Sequence, residues 1–127
     1  MKNQNYSKIA IKHFMNPKYS GVLKNANGIG QVGNAACGDV MKVYIKVEKN
    51  KIKDIRFNTM GCVAAIASSD VVCSLAKGKT LEDAEKITAK DINKDLKLPT
   101  IKFHCSLLGS DALREAIKNY KLKNKTE

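Results

Sequence analysis

Long apolar runs are missing from this chain. The longest is Cys62–Ala67, far short of the roughly 20 residues that a membrane-spanning helix needs. Near the amino terminus, Ile9-Ala10-Ile11 is closed at once by Lys12, too short for the apolar segment of a secretory signal. These absences lead to the expectation of a cytoplasmic protein with no membrane partner. Arginine is scarce, with only Arg56 and Arg114, and no helix-turn-helix, zinc-finger or aromatic RNA-binding signature accompanies it. The 23 Lys and Arg against 12 Asp and Glu give a formal net charge of +11, which on its own would raise nucleic acid or an acidic protein as partner. Spread along the chain without such a motif, the lysines read as a solvated surface, and a nucleic-acid function is set aside. No two of the four cysteines form a C-x-x-C pair, which removes the zinc-ribbon and ferredoxin patterns. In a reducing compartment they serve as ligands, reactive thiols or core residues rather than as a disulfide framework.

What is present suits one compact domain over residues 1–127, with 43% apolar residues to fill its core, and with loose ends at 1–6 and 121–127. Ser7 predicts the cap of a short helix carrying Ile9, Ala10, His13 and Phe14, which stops before Asn16-Pro17. His13 reads as an ordinary helix residue. From Asn16 to Gly38 the Asn and Gly content predicts a mobile stretch with one short strand around Ile29–Val32. Within it stands a literal G-x-G-x-x-G, Gly28 to Gly33. A dinucleotide fingerprint needs a buried strand before it and a helix after it. Here Leu23-Lys24-Asn25-Ala26-Asn27 precedes and a strand pattern follows, so it is rejected.

Met41, Val43, Ile45 and Val47 alternate with polar neighbours, and Ile55 and Phe57 do the same beyond the turn at Lys49-Asn50-Lys51, giving a small antiparallel sheet of three strands. Helices are predicted over Cys62–Lys77, closed by Gly78; after Thr80; over Ala89–Leu96; and from His104 or Cys105 through Tyr120, following an extended Leu98–Phe103. The expected fold is α+β, helices packed on one face of the sheet.

Three cysteines stand beside other metal-binding types: Cys37 before Gly38-Asp39, Cys62 after Met60-Gly61, and Cys105 after His104. Thiolate, imidazole and carboxylate together suit zinc or iron–sulfur chemistry better than calcium or magnesium. Separations of 25 and 43 residues mean that the fold must assemble them. Cys62 and Cys105, at predicted helix starts, should be more acidic than a free cysteine. Cys73 lies eleven residues after Cys62 on the same helix, roughly 16 Å along its axis, and reads as a buried thiol.

Ala36-Cys37-Gly38-Asp39-Val40-Met41-Lys42, Arg56-Phe57-Asn58-Thr59-Met60-Gly61-Cys62 and Leu98-Pro99-Thr100-Ile101-Lys102-Phe103-His104-Cys105-Ser106 closely resemble the IscU-type iron–sulfur cluster assembly scaffolds and the similar N-terminal module of NifU. The likeness runs from His13-Phe14-Met15-Asn16-Pro17 to the last helix. It implies that Cys37, Cys62 and Cys105 hold a nascent [2Fe-2S] cluster, with Asp39 and His104 as alternative fourth ligands or modulators of release. It implies iron as substrate, zinc as an alternative occupant and a cysteine desulfurase as sulfur donor. Electrons would come from a donor such as ferredoxin, and apo-proteins would receive the cluster. Cys105 is the expected first persulfide acceptor, and the protein is an assembly scaffold rather than an enzyme.

Leu98-Pro99-Thr100-Ile101-Lys102 departs from the family's Leu-Pro-Pro-Val-Lys chaperone motif. The lost proline restores an N–H and loosens an extended conformation, which weakens the expectation of a chaperone partner. Without the further cysteine-bearing domains of NifU, the chain is expected to act alone. Lys118 to Lys125 form a candidate contact for an acidic desulfurase surface. The competing reading is a zinc-bound sulfur-relay protein of the SufU-like branch, which accepts persulfide without building clusters. That branch carries an insertion between the second and third ligand cysteines and lacks a histidine before the last. The compact spacing and His104 argue for the scaffold, and a purely structural zinc domain would favour a closed four-ligand site.

Overall fold

A computed structural model describes residues 6–34 and 38–125. Cys37 and the residues at 1–5 and 126–127, on which several of the expectations above fall, lie outside the described residues. Three strands, β1 (Gly28–Asn34), β2 (Asp39–Glu48) and β3 (Lys51–Met60), form one antiparallel sheet in the order β1-β2-β3. Around it are α1 (Lys8–Met15), α2 (Val63–Ala76), α3 (Leu81–Glu85), α4 (Ala89–Leu96) and α5 (Phe103–Lys125). The expected α+β class and three-stranded sheet are both present.

The inward face of the sheet carries Met41, Val43, Ile45, Val47, Ile52, Ile55 and Phe57, all buried. Ile52 and Ile55 are three apart, which a strict two-residue period would send to opposite faces. A register shift between Lys46 and Val47, where Lys46 pairs Asp54 and Val47 pairs Ile52, leaves Lys53 over as a bulge and restores both isoleucines to the core. Lys49 and Asn50 turn the hairpin with φ of 53° and 65°, the two-residue turn whose twist suits antiparallel strands.

α5 lies across β1 and β2, presenting Ala112, Leu113, Ala116 and Ile117 to the core. A Cβ added at Gly30 would overlap the backbone of Ala112, Glu115 and Ala116, and one at Gly28 would come within 2.7 Å of the Ala116 carbonyl. The glycines that mimic a dinucleotide fingerprint are therefore a groove in which a helix sits directly on a strand. Asn119 Oδ1 accepts the Ile29 N–H at 3.0 Å and fixes the helix along that edge.

α2 is buried nearly all round and is built from small residues, Ala64, Ala65, Ala67, Ser68 and Ser69 among them. Such a helix can pass through the middle of a domain, and it contacts α1, α4, α5 and β3. Asp70 on α2 is 2% exposed. Its Oδ1 accepts the backbone N–H groups of Lys18 and Tyr19 at 2.8 and 2.9 Å, and its Oδ2 lies 2.6 Å from His13 Nδ1. His13 is thus the partner of a buried carboxylate, contrary to its reading as an ordinary helix residue.

The strand expected around Ile29–Val32 is present as β1, but the chain before it, Asn16–Asn27, is tied to the sheet by hydrogen bonds. Phe57 N–H donates to the Tyr19 carbonyl and Gly21 N–H to the Phe57 carbonyl, at 2.9 and 2.8 Å, so the chain hems the free edge of β3. Asn27 bonds both the N–H and the carbonyl of Val47. Backbone groups that the composition left without partners find them across the sheet, which composition cannot report.

One further expectation is corrected in the carboxyl-terminal half. Thr100–Lys102 is a 3-10 turn running directly into α5, not an extended segment, with Lys102 N–H donating to the Pro99 carbonyl at 2.8 Å. Proline is well placed to begin such a turn, since its missing N–H has no intrahelical partner there, and among the described residues no strand pairs with this segment. α5 runs on as helix to Lys125, and Lys121 Nζ pairs with Glu85 Oε2 at 2.9 Å.

Gly30→Ala is expected to destabilise the fold by about 3 kcal/mol, because the obstructing atoms are backbone. Asp70→Ala, which strands the buried Tyr19 N–H, the part-buried Lys18 N–H and His13, is expected to cost a similar amount, about 3 kcal/mol. Urea unfolding followed by circular dichroism measures both; midpoints unchanged from the wild type would contradict these roles.

Candidate metal centre

Strand register begins the site. Val40 pairs with Met60, so Asp39 at the start of β2 lies against Gly61 and Cys62 at the end of β3. A Cβ at Gly61 would fall 2.5 Å from Asp39 Oδ1; the carboxylate fills the space that any other residue's side chain would take. Asp39 is 5% exposed. Cys62 then caps α2 without a side-chain cap bond, which leaves its sulfur to face the site.

The first turn of α5 delivers the other half. Cys105 Sγ lies 4.0 Å from Cys62 Sγ, 3.9 Å from Asp39 Oδ2 and 3.6 Å from His104 Nε2. His104 Nε2 is in turn 3.9 Å from Asp39 Oδ2. Ligand atoms of Asp39, His104 and Cys105 all fall within 4.8 Å of one another. Four of the five residues singled out from the sequence are therefore brought together; the fifth, Cys37, lies outside the described residues. His104 Nδ1–H donates to the Ile101 carbonyl at 3.2 Å, which turns Nε2, the lone-pair nitrogen, toward the site. An outer hydrogen bond that sets the ring's orientation and tautomer is the usual support of a metal-binding imidazole.

The electrostatics separate the two thiols. The Cys62 pKa is lowered to about 5, chiefly because the Cys105 S–H can donate to its sulfur, with the Ala65 N–H in the first turn of α2 and the Lys102 ammonium adding to the effect. Cys105 moves the other way. The hydrogen bond to Cys62, burial and the negative charges of Cys62 and Asp39 all hold its proton on. One acidic thiol was foreseen correctly, whereas an acidic Cys105 was not. The 3-10 turn places the helix start upstream of Cys105, and its sulfur points inward beside two negative groups.

Lys102 Nζ stands 3.8 Å from Cys62 Sγ, and the thiolate raises the lysine's own pKa. The sequence had placed Lys102 only in a chaperone motif; its position three before Cys105 was the available signal. Tyr6 was missed altogether. Burial raises its phenol pKa first and the charge of Cys62 next, which places it at the rim of the site, but nothing local in the sequence marks it. Cys73 is fully buried and its pKa is pushed well up by that burial, in keeping with a core thiol.

Chemically, the arrangement offers soft sulfur and harder nitrogen and oxygen donors at one partly exposed edge, fitting a thiophilic ion or cluster held without four thiolates. The sequence profile described as the NifU-like N terminal domain matches residues 5–127. The chain is 52% identical over 124 residues to an iron–sulfur cluster assembly scaffold protein IscU of Buchnera aphidicola, covering 94% of this chain and 98% of that one. To the IscU scaffold of Escherichia coli it is 46% identical over 126 residues, covering 96% and 98%. An archaeal relative, IscU 1 of Archaeoglobus fulgidus, is 51% identical over 120 residues, covering 94% and 78%. Among solved structures, one described as an assembly scaffold for the SUF system of Fervidobacterium islandicum superposes with a TM-score of 0.76 at 22% identity, covering 92% and 99%. At that identity the likeness carries the fold alone.

Alkylation by iodoacetamide, followed peptide by peptide, tests the electrostatics. Thiolate reacts and thiol does not, so Cys62 labelling should rise through pH about 5 and level off above it, with Cys105 and Cys73 protected. In Cys105→Ala the rise should move up toward that of a free thiol. An unshifted Cys62 profile in that variant would show that the hydrogen bond is not the cause.

Proposed function

The chain belongs to the NifU-like N-terminal domain family, and from that premise we propose that it is a scaffold on which an iron–sulfur cluster is assembled before transfer to apo-proteins. The observation that carries this reading is the convergence of Asp39, Cys62, His104 and Cys105 at one edge. Cys37, two residues before Asp39 in the matching motif, completes the proposed set. Iron and the nascent [2Fe-2S] cluster are cargo, and zinc is an alternative occupant of the same donors. The protein carries and releases rather than turning over a substrate. Most permanent clusters are held by four thiolates; a carboxylate or imidazole at one corner is a weaker hold on a thiophilic metal, which suits a cluster meant to leave.

Sulfur is supplied by a cysteine desulfurase, electrons by a donor such as ferredoxin, and Cys105 is the thiol on which persulfide sulfur is held. Its proton has acceptors at hand in His104 Nε2 and Asp39 Oδ2. No helix among the described residues is long and apolar enough to cross a membrane, which is compatible with the cytoplasmic setting proposed here. A chaperone that takes Leu98–Lys102 as an extended peptide would first have to unwind the turn at Thr100–Lys102, so such a partner is not part of the proposal.

Anaerobic apo-protein incubated with iron, cysteine and a desulfurase should develop visible cluster absorption and a matching Mössbauer spectrum. The signal should be lost in Cys37→Ser, Cys62→Ser and Cys105→Ser, retained in Cys73→Ser, and transferable to an apo-ferredoxin. Tight zinc with a transferable persulfide and no cluster would replace this reading with the sulfur relay.

A further inference from the structure

Two sulfurs in the site stand at different depths. Cys105 is 0% exposed and is enclosed by Cys62, Asp39 and His104. Cys62 is only half-buried, and Lys102, whose ammonium is 3.8 Å from its sulfur, offers an anionic donor a counter-charge at the outer side. The two sulfurs are 4.0 Å apart. A sulfur–sulfur bond is about 2.05 Å long, so a terminal sulfur carried on Cys62 and turned inward spans about half of that gap.

We propose that Cys62, the more exposed of the two, and not Cys105 as the resemblance implied, is the entry point for sulfur and hands it directly to Cys105, an internal relay that rests on the scaffold reading and specifies its first steps. The donor's persulfide is attacked at its terminal sulfur by Cys62, forming Cys62–S–SH and releasing the donor thiolate. Cys105 then gives its proton to His104 Nε2, and its sulfur attacks the terminal sulfur of Cys62–S–SH. The bond to Cys62 breaks with its electron pair on Cys62 Sγ, leaving Cys62 thiolate and Cys105–S–SH. One S–S bond forms for each that breaks, no net oxidation occurs, and no external reductant is needed. Handing the sulfur inward shields it from solvent thiols and frees Cys62 for iron.

The order of loading decides the matter. Apo-protein is mixed with desulfurase and sulfur-labelled cysteine, quenched at short intervals with an alkylating reagent, and its peptides are analysed by mass spectrometry. Label should appear on Cys62 first and pass to Cys105 as the Cys62 signal falls. Cys105→Ser should trap the label on Cys62, and Cys62→Ser should slow Cys105 loading by about tenfold or more, as expected when the accessible thiol is removed. The time course in the wild type does not depend on either variant folding normally. Label reaching Cys105 with Cys62 never labelled ahead of it, whether directly or through Cys37, overturns the relay while leaving the scaffold intact. So does a Cys62–Cys105 disulfide with free sulfide, the product of attack on the inner sulfur. Absence of label from every cysteine, with no cluster formed, refutes the scaffold reading itself.

Discussion

The close seating of α5 on β1 is the constraint from which the site follows. Gly28 and Gly30 leave no side chain between strand and helix, and the Asn119 bond to Ile29 sets the position along the edge. Because α5 is a continuous helix from Phe103, fixing its middle also fixes its first turn, where His104 and Cys105 lie. The sheet contributes the opposing half through the β2–β3 register, which sets Asp39 beside Gly61. Two rigid elements thus meet at one edge, and the donors gather there without any local cysteine pair. Sites held on such elements keep their geometry better than sites on loops.

Within that geometry the groups hold one another in an unequal state. A single Cys105 proton faces Cys62, Asp39 and His104, and adding a second thiolate beside Cys62 and Asp39 is opposed by both charges. A cation entering the site would relieve this repulsion, so metal binding there would be linked to deprotonation of Cys105. Lys102 compensates part of the negative charge in the meantime. The same crowding that keeps Cys105 protonated favours an incoming positive ion and weakens the hold on a neutral thiol partner, a balance suited to cargo that is taken up and given away.

Asp70 does for the other side of the domain what the glycine groove does for the site. A carboxylate on the central helix gathers α1 through His13 and the following chain through two backbone N–H groups. Charged or polar donors compensate the burial of the carboxylate. The hub lies well along α2 from the Cys62 cap, so the helix that positions one cysteine is itself tied at its far half to the amino-terminal segment.

The sequence by itself determined a good deal. Period-two alternation of Met41, Val43, Ile45 and Val47 marked a strand with one wet face, Ser7, Thr80 and Gly78 marked helix ends, and three separate motifs marked Asp39, Cys62, His104 and Cys105. These are local signals, each readable within a few residues. What tertiary structure alone decided depends on distant partners: the bulge at Lys53 that returns Ile52 to the core, the pairing of His13 with Asp70, the anchoring of the Asn16–Asn27 chain, and the helical turn in place of an extended Thr100–Lys102. The protonation of the two thiols belongs to the same class. Cys62 and Cys105 each stand near a helix start and looked alike in sequence, yet the pKa of the half-buried one is lowered and that of the buried one raised, because only the fold sets 4.0 Å between them and places Asp39 beside the deeper one.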